Sequence, residues 1–368
     1  MDVSSLKSVK RDLRKLERTY KRNTQLKKIN KKLKKEVQKL SSQGRMVSGT
    51  ADAGKVAAAV QTARSALNEE AKKIQKINRI NTIRRKAVRI NREYHITRNA
   101  ALLAGFATFL ITPGQARKKD KEKFKNVNYA HRGLHTKDKS VPENSMAAFQ
   151  RAAEAGYGIE LDVQLSKDGK VVVFHDNTLK RVCGVKGRVD SKTYDELKKI
   201  RLCGTEQTVP LFSDVLDCVN GRSTLLVELK SGKKNRELCR KTLKLLKSYK
   251  GEYCIESFDP RIVAWFRFHA PNVVRGQLAK RPRDFKKEEL HPVGAFLVGN
   301  GLLNFMSRPQ FVAYKIGKQP LSVKLSEKMG AMRFCWTSRE EGNEKKYDSV
   351  IFEHYTPDPK IHRKWIQL

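Results

Sequence analysis

The chain has 368 residues, 39% hydrophobic and 32% charged, with 78 Lys and Arg against 38 Asp and Glu for a formal net charge of +40. That apolar content excludes a wholly disordered chain, and the length allows one domain of roughly 250 residues plus an accessory segment. The excess of cations points to an anionic partner such as phospholipid headgroups or nucleic acid, the alternative being the solvated surface of a coiled coil.

The charge is uneven. Residues 1–98 hold 28 basic and 8 acidic residues, whereas residues 126–368 hold 44 and 28. Apolar residues recur at 6, 9, 13, 16 and 20 and again at 26, 29, 33, 37 and 40, which predicts a helix with one apolar seam and a phase slip near Asn23. SSQGRMVSGTADAG, residues 41–54, reads as a turn. A second seam follows at Val56, Val60, Ala63, Leu67, Ile74 and Ile77 and continues loosely through Ile83 and Ile90. Residues 1–98 are thus expected to form a basic helical hairpin or coiled-coil extension, a candidate for self-association.

Between Arg98 and Arg117 lie 18 residues without charge, NAALLAGFATFLITPGQA, followed by the basic run RKKDKEKFK. Pro113-Gly114 shortens the strongly apolar part, so residues 99–125 read either as a short transmembrane or interfacial anchor with a basic linker, or as a buried helix. With the basic residues around it, this segment directs residues 1–125 toward an anionic membrane surface, with a membrane-associated protein and a cytoplasmic catalytic domain as the expectation.

From Asn126 onward, strand-like and helix-like runs alternate. The strand candidates are VNYAH, IELDV, VVVFH, LLVELK, YCIESF, VVRGQL, AFLVG, MRFCWT and SVIFEH, and residues 144–155, 235–248 and 260–268 read as helices between them. Residues 126–368 therefore predict an α/β fold of the TIM-type (β/α)8 barrel, whose chemistry lies at the C-terminal ends of the strands. Polar residues fall there: His131 and Arg132, Glu160 and Asp162, His175, Glu228 and Lys230. Glu160 and Asp162 are two apart on one strand, so both carboxylates share a face. Six cysteines, at 183, 203, 218, 239, 254 and 335, form no CxxC pair and no cluster with histidine, which favours a reducing compartment.

The ordered set YAHRGLH, VPENS, GIELDVQLSKDGKVVVFHD, VPLFSDVL and LLVELK resembles the glycerophosphodiester phosphodiesterases from about Asn128 to near the C-terminus. The resemblance implies a divalent metal ion, Ca²⁺ or Mg²⁺, on Glu160, Asp162 and Glu228, with His131 and His175 as acid-base catalysts. It implies phosphate binding by Arg132 and Lys230, and an aromatic at the substrate mouth in Trp336. The implied reaction releases glycerol 3-phosphate and an alcohol from a glycerophosphodiester. Two further readings stand beside it: a lysophospholipase D-like activity on membrane lysolipid, and a basic membrane or nucleic-acid tether with an inactive barrel. Against nucleic acid, no binding motif with interleaved aromatics is visible. Pro142, Asn144 and Ser145 read as structural, with Asn144 or Ser145 capping the next helix; Asp176 reads as orienting its neighbours or the turn. Glu353 in SVIFEHYTP stands where many members carry an Asp-containing motif, a departure that bears on the pocket rim.

Overall fold

A computed structural model describes residues 53–286 and 290–357, together with Lys31 and Lys35. The first predicted helical arm otherwise lies outside these residues, as does most of the turn after it. The chain divides into two compact units, Met1–Ala104 and Gly105–Leu368.

The second arm and the apolar run form one helix, α1 (Ala53–Ile111), in place of a hairpin arm followed by a separate segment. No glycine or proline interrupts residues 55–104, and the helix stops just before Pro113, whose ring disfavours helical backbone at Thr112. Among the described residues, no helix is long and apolar enough to cross a membrane. Within the helix, Leu102, Leu103 and Phe106 are 66%, 70% and 61% exposed. Along the predicted seam, Ile77 is buried, while Ile83 and Ile90 face solvent.

In the second unit, the end of α1 is held by two side chains from a short helical turn, Asn304–Ser307, and its C-cap. Asn304 Nδ2 donates to the Ile111 carbonyl (3.3 Å) and Arg308 Nη1 to that of Thr112 (2.7 Å). Carbonyls that a helix end leaves open are thereby satisfied.

The strands are β1 (Asn128–Ala130), β2 (Gly158–Leu165), β3 (Val171–Val173), β4 (Leu225–Leu229), β5 (Tyr253–Ser257), β6 (Val274–Ala279), β7 (Phe311–Lys315), β8 (Met332–Ser338) and β9 (Ser349–Phe352). Eight run parallel and close on themselves, β1 pairing with both β2 and β9; β3 pairs antiparallel with β2 outside this ring. This is the expected TIM-type barrel. Helices follow most strands, among them α2 (Met146–Glu154), α3 (Asn235–Leu246) and α4 (Pro260–His269). Ser145 Oγ caps α2 by accepting from Ala148 N, and Asp259 caps α4 with Pro260 in its first turn.

Two strand assignments differ from the sequence reading. AFLVG lies in a helix, Pro292–Gly299, because Pro292 suits a first helical turn and a short apolar run has no period that separates helix from strand. The missing barrel strand is FVAYK, now β7. VVVFH supplies only β3, because the chain doubles back at the Ser166–Lys170 turn and pairs with β2.

The pleat sets the site. Tyr129, Leu226, Cys254, Val274, Leu278, Phe311, Ala313, Phe334 and Ile351 form one apolar cluster. Two residues further along several of these strands, on the same face, stand His131, Glu228, Glu256 and Glu353. The barrel interior is therefore dry at one end and ionised at the other. Gly276 belongs to the dry end, where an added Cβ would lie 2.0 Å from the Phe311 ring. Gly276→Ala is expected to cost about 1–3 kcal/mol by overpacking and so to lower Tm by several degrees; an unchanged thermal melt would contradict this packing.

Candidate active site

His131, Arg132, Glu160, His175, Glu228 and Trp336 line one cavity of about 650 Å³ at the C-terminal ends of the strands. Asp162 is buried beside it, and Lys230 lines an adjoining cavity of about 510 Å³. All eight residues singled out in the sequence are thus drawn to one end of the barrel.

His131 follows β1. Its Nδ1 lies 2.7 Å from Glu353 Oε2, and its Nε2 lies 4.0 Å from Glu160 Oε2. Glu353 Oε1 in turn accepts from Arg339 Nε at 2.7 Å. Burial, with Arg132 adding to it, lowers the His131 pKa to about 4 despite the carboxylates around it. At neutral pH the imidazole is uncharged, and an Nδ1–H given to Glu353 leaves the Nε2 lone pair free. Burial works against the charge of Glu353, but the His131 hydrogen bond and Arg339 hold its carboxyl well below the usual range.

His175 follows β3, with Nδ1 2.6 Å from Asp176 Oδ1. Asp176 is joined to Arg181, whose Nε donates to its Oδ2 at 2.6 Å. Arg181 also grips Glu143 with Nη1 and Nη2, each at 2.7 Å, and Glu143 accepts from Arg132 Nη1 at 2.8 Å. A continuous chain of ion pairs therefore connects the His175 side of the cavity to Arg132. These cations hold Glu143 at a pKa of about 2, although burial opposes its charge.

Arg132 has a left-handed backbone, φ 56°, and Asn144 another, φ 53°. Such conformations cost energy in non-glycine residues and persist where surrounding bonds fix them. Arg132 N donates to Glu160 Oε2 at 2.8 Å, and Asn144 N donates to the Arg132 carbonyl at 2.9 Å. Gly133 follows with φ 78°, and a Cβ there would come within 2.9 Å of Ala148, which explains the glycine in HRG.

Glu160, Asp162 and Glu228 are buried on the adjacent strands β2 and β4, with Asp162 directly opposite Glu228. Lys230 Nζ reaches Glu228 Oε1 at 2.8 Å and Asp162 Oδ1 at 3.3 Å, while Asn144 Nδ2 donates to Asp162 Oδ2 at 2.9 Å. Burial raises the Glu160 and Glu228 pKa values, and neighbouring carboxylates add to the rise. At Asp162 burial is outweighed by Lys230, then His175 and Arg132, so its pKa falls.

Atoms of Asp162, His175 and Glu228 lie within 4.8 Å of one another, close enough to share a cation; of the three expected ligands, Glu160 is not in this group, and His175 stands in it instead. Buried carboxylates gathered this closely fit a hard divalent ion. His131, His135 and Glu353 form a second close group. There Glu353 is engaged by His131 and Arg339, as Asp162 and Glu228 are by Lys230.

Trp336 is fixed by an Nε1 bond to the Ala313 carbonyl (3.0 Å) and packs edge-on against Phe258 at 5.5 Å. His135 stands edge-on to His354 at 5.1 Å. The sequence reading passed over Glu143, Arg181 and Glu256, and took Asn144 as structural and Glu353 as part of the rim. Asn144 instead bonds Asp162 within the site, and Glu353 holds His131. Glu256 was detectable, being an acid inside an apolar strand as Glu228 is; Arg181 carries no signal in its local sequence.

The model of the glycerophosphoryl diester phosphodiesterase family matches residues 131–358. A glycerophosphodiester phosphodiesterase of Bacillus altitudinis is 41% identical over 108 residues, 27% of this chain and 43% of that one. A lysophospholipase D of Rattus norvegicus is 31% identical over 172 residues, 41% of this chain and 53% of that one. The chain thus spans about half the length of these curated relatives. In fold it is similar to an Oleispira antarctica phosphodiesterase solved with its product sn-glycerol-3-phosphate, with a TM-score of 0.52, 21% identity, and coverage of 67% of this chain and 99% of that one. With the family match spanning most of the barrel, the chain belongs to the glycerophosphoryl diester phosphodiesterase family.

Proposed function

We propose that the protein hydrolyses glycerophosphodiesters to glycerol 3-phosphate and an alcohol by acid-base catalysis. The observation that carries this reading is the pair of histidines, each within 2.7 Å of its own carboxylate through Nδ1, on one cavity with Arg132 and a buried carboxylate row. Arg132 and Lys230 hold the phosphate, the guanidinium by its fork of donors and the lysine as a point charge. His131 Nε2 takes the proton of the attacking hydroxyl, either the substrate's own glycerol hydroxyl or water. As the new P–O bond forms and the bond to the alcohol breaks, His175 gives a proton to the leaving oxygen. If the glycerol hydroxyl attacks first, a cyclic phosphate forms and water opens it. A divalent ion held by Glu160, Asp162 and Glu228, Ca²⁺ or Mg²⁺, would polarise a phosphate oxygen and offset charge developing there.

The test is glycerol 3-phosphate release from glycerophosphocholine and glycerophosphoglycerol with Ca²⁺, Mg²⁺ or chelator. Release with metal is expected; none with either diester and either ion contradicts the reading and leaves the inactive-barrel alternative. A second reading, lysophospholipase D-like cleavage, is favoured by the aromatic pair Trp336 and Phe258 on the cavity wall, on which an acyl chain could lie. Lysophosphatidylcholine as substrate tests it: choline release faster than from glycerophosphocholine is the outcome it requires.

Residues 1–125 carry 34 basic and 10 acidic residues, and α1 exposes Leu102, Leu103 and Phe106. These features suit attachment to an anionic membrane surface, where each nearby Lys or Arg contributes roughly 1 kcal/mol. The full chain is expected to co-sediment with anionic vesicles at low salt and to release near 1 M salt, where the Debye length shrinks to about 3 Å. Failure to bind vesicles alongside tight binding of nucleic acid would replace the membrane with the other polyanion.

A further inference from the structure

Glu256 lies on β5 directly opposite Glu228 on β4, which lies directly opposite Asp162 on β2. Three neighbouring strands thus hold three carboxylates in one row, with Glu160 two residues before Asp162 on the same face. Glu256 is 1% exposed, lines the central cavity, and has a buried Oε2 without a hydrogen-bond partner. Among the described residues, no salt bridge within 4.0 Å reaches it, whereas Asp162 and Glu228 share Lys230. A buried acid with an unpaired oxygen is costly unless something binds it, and the direction in which Glu256 opens is the cavity its neighbours already line.

We propose that Glu256 is a fourth carboxylate of the cation site, alongside Glu160, Asp162 and Glu228, and that it tunes this protein toward Ca²⁺. The inference rests on the reading of those three residues as ligands. Ca²⁺ takes six to eight oxygens in adaptable geometry, whereas Mg²⁺ keeps a small octahedral shell containing several waters. An additional carboxylate therefore contributes more to Ca²⁺ than to Mg²⁺.

The experiment is calorimetric titration of Ca²⁺ and of Mg²⁺ into the metal-free full chain, for wild type, Glu256→Gln, Glu256→Asp and Glu228→Gln, with melting curves before and after metal. Glu256→Gln keeps the shape of the side chain and is expected to weaken Ca²⁺ about ten-fold or more, to weaken Mg²⁺ less, and to shrink the Ca²⁺-induced rise in Tm without lowering the metal-free Tm. Glu256→Asp, which keeps a carboxylate, is expected to bind Ca²⁺ more tightly than Glu256→Gln. Wild-type Ca²⁺ affinity in Glu256→Gln, with loss in Glu228→Gln, overturns the fourth-ligand assignment alone. Should the wild type take up neither ion, the three-carboxylate reading falls and this inference falls with it.

Discussion

His131→Ala and His175→Ala are each expected to lower kcat by about 10² or more, with melting temperatures near that of the wild type. The catalytic half of this expectation follows from the two short Nδ1 contacts, 2.7 Å to Glu353 and 2.6 Å to Asp176. A carboxylate on Nδ1 fixes ring orientation and tautomer, so the opposite nitrogen of each ring is available for proton transfer. The stability half follows from position, since neither histidine belongs to an apolar cluster: His131 follows barrel strand β1, His175 follows β3 outside the ring, and both line the cavity. His131 N keeps its bond to the Phe352 carbonyl in an alanine variant, and Glu353 keeps Arg339. Steady-state kinetics on glycerophosphocholine with a thermal melt check both halves. A variant with near-normal kcat removes that histidine from the mechanism, and a large loss of Tm makes it a structural residue instead.

The same experiment separates catalysis from positioning. Glu353→Gln preserves an oxygen for His131 Nδ1 but removes the negative charge, so its effect should fall on kcat more than on KM and be smaller than that of His131→Ala. Arg181→Ala breaks the links to both Asp176 and Glu143 and thereby loosens His175 and Arg132 together. Since Arg132 is read as a phosphate-binding residue, KM as well as kcat should suffer. An Arg181→Ala enzyme with wild-type values of both would show that this bridge carries no functional load.

What the sequence disclosed was set by distance along the chain. Glu160, Asp162 and Glu228 could be read because an acid inside an apolar strand calls for a partner, and the strand period says which acids share a face. His131, Arg132 and Lys230 could be read because they follow barrel strands whose C-terminal ends carry the chemistry of this fold, whereas His175 follows β3, which lies outside the ring, and was legible from its place in the ordered motif set. The partners of those groups were not readable: Glu353 is 222 residues from His131, and Glu143 is 38 from Arg181. Only the closed ring of strands brings them together. The exchange of AFLVG for FVAYK has a similar origin, since both are short apolar runs and only the packing around Pro292 and Gly299 separates them. At the N-terminal side, period and charge indicated helix, but not that the second arm and the uncharged run would join into one helix through Ile111.

Removing divalent metal is expected to abolish turnover, and Glu228→Gln is expected to weaken metal binding while leaving a folded barrel. Two carboxylates about 4 Å apart repel by roughly 4 kcal/mol at an effective dielectric of 20. Glu160, Asp162 and Glu228 are all buried, with two side-chain cations beside them among the described residues: Lys230, bonded to Glu228 and Asp162, and Arg132, 3.5 Å from Asp162. Burial raises Glu160 and Glu228, and their acidic neighbours raise them further, so keeping the row ionised is unfavourable unless a further cation faces it. A divalent ion relieves that repulsion and, by binding only the folded chain, adds stability in proportion to the logarithm of its concentration over Kd. Chelation should therefore lower Tm as well as activity, and added Ca²⁺ or Mg²⁺ should restore both. Glu228→Gln removes one charge from the row at nearly constant volume, so its metal-free melt should match or exceed that of the wild type while its response to metal shrinks. Full activity in excess chelator, after metal-free preparation, would remove the ion from the mechanism and leave Arg132, Lys230 and the two histidines to carry phosphodiester cleavage alone.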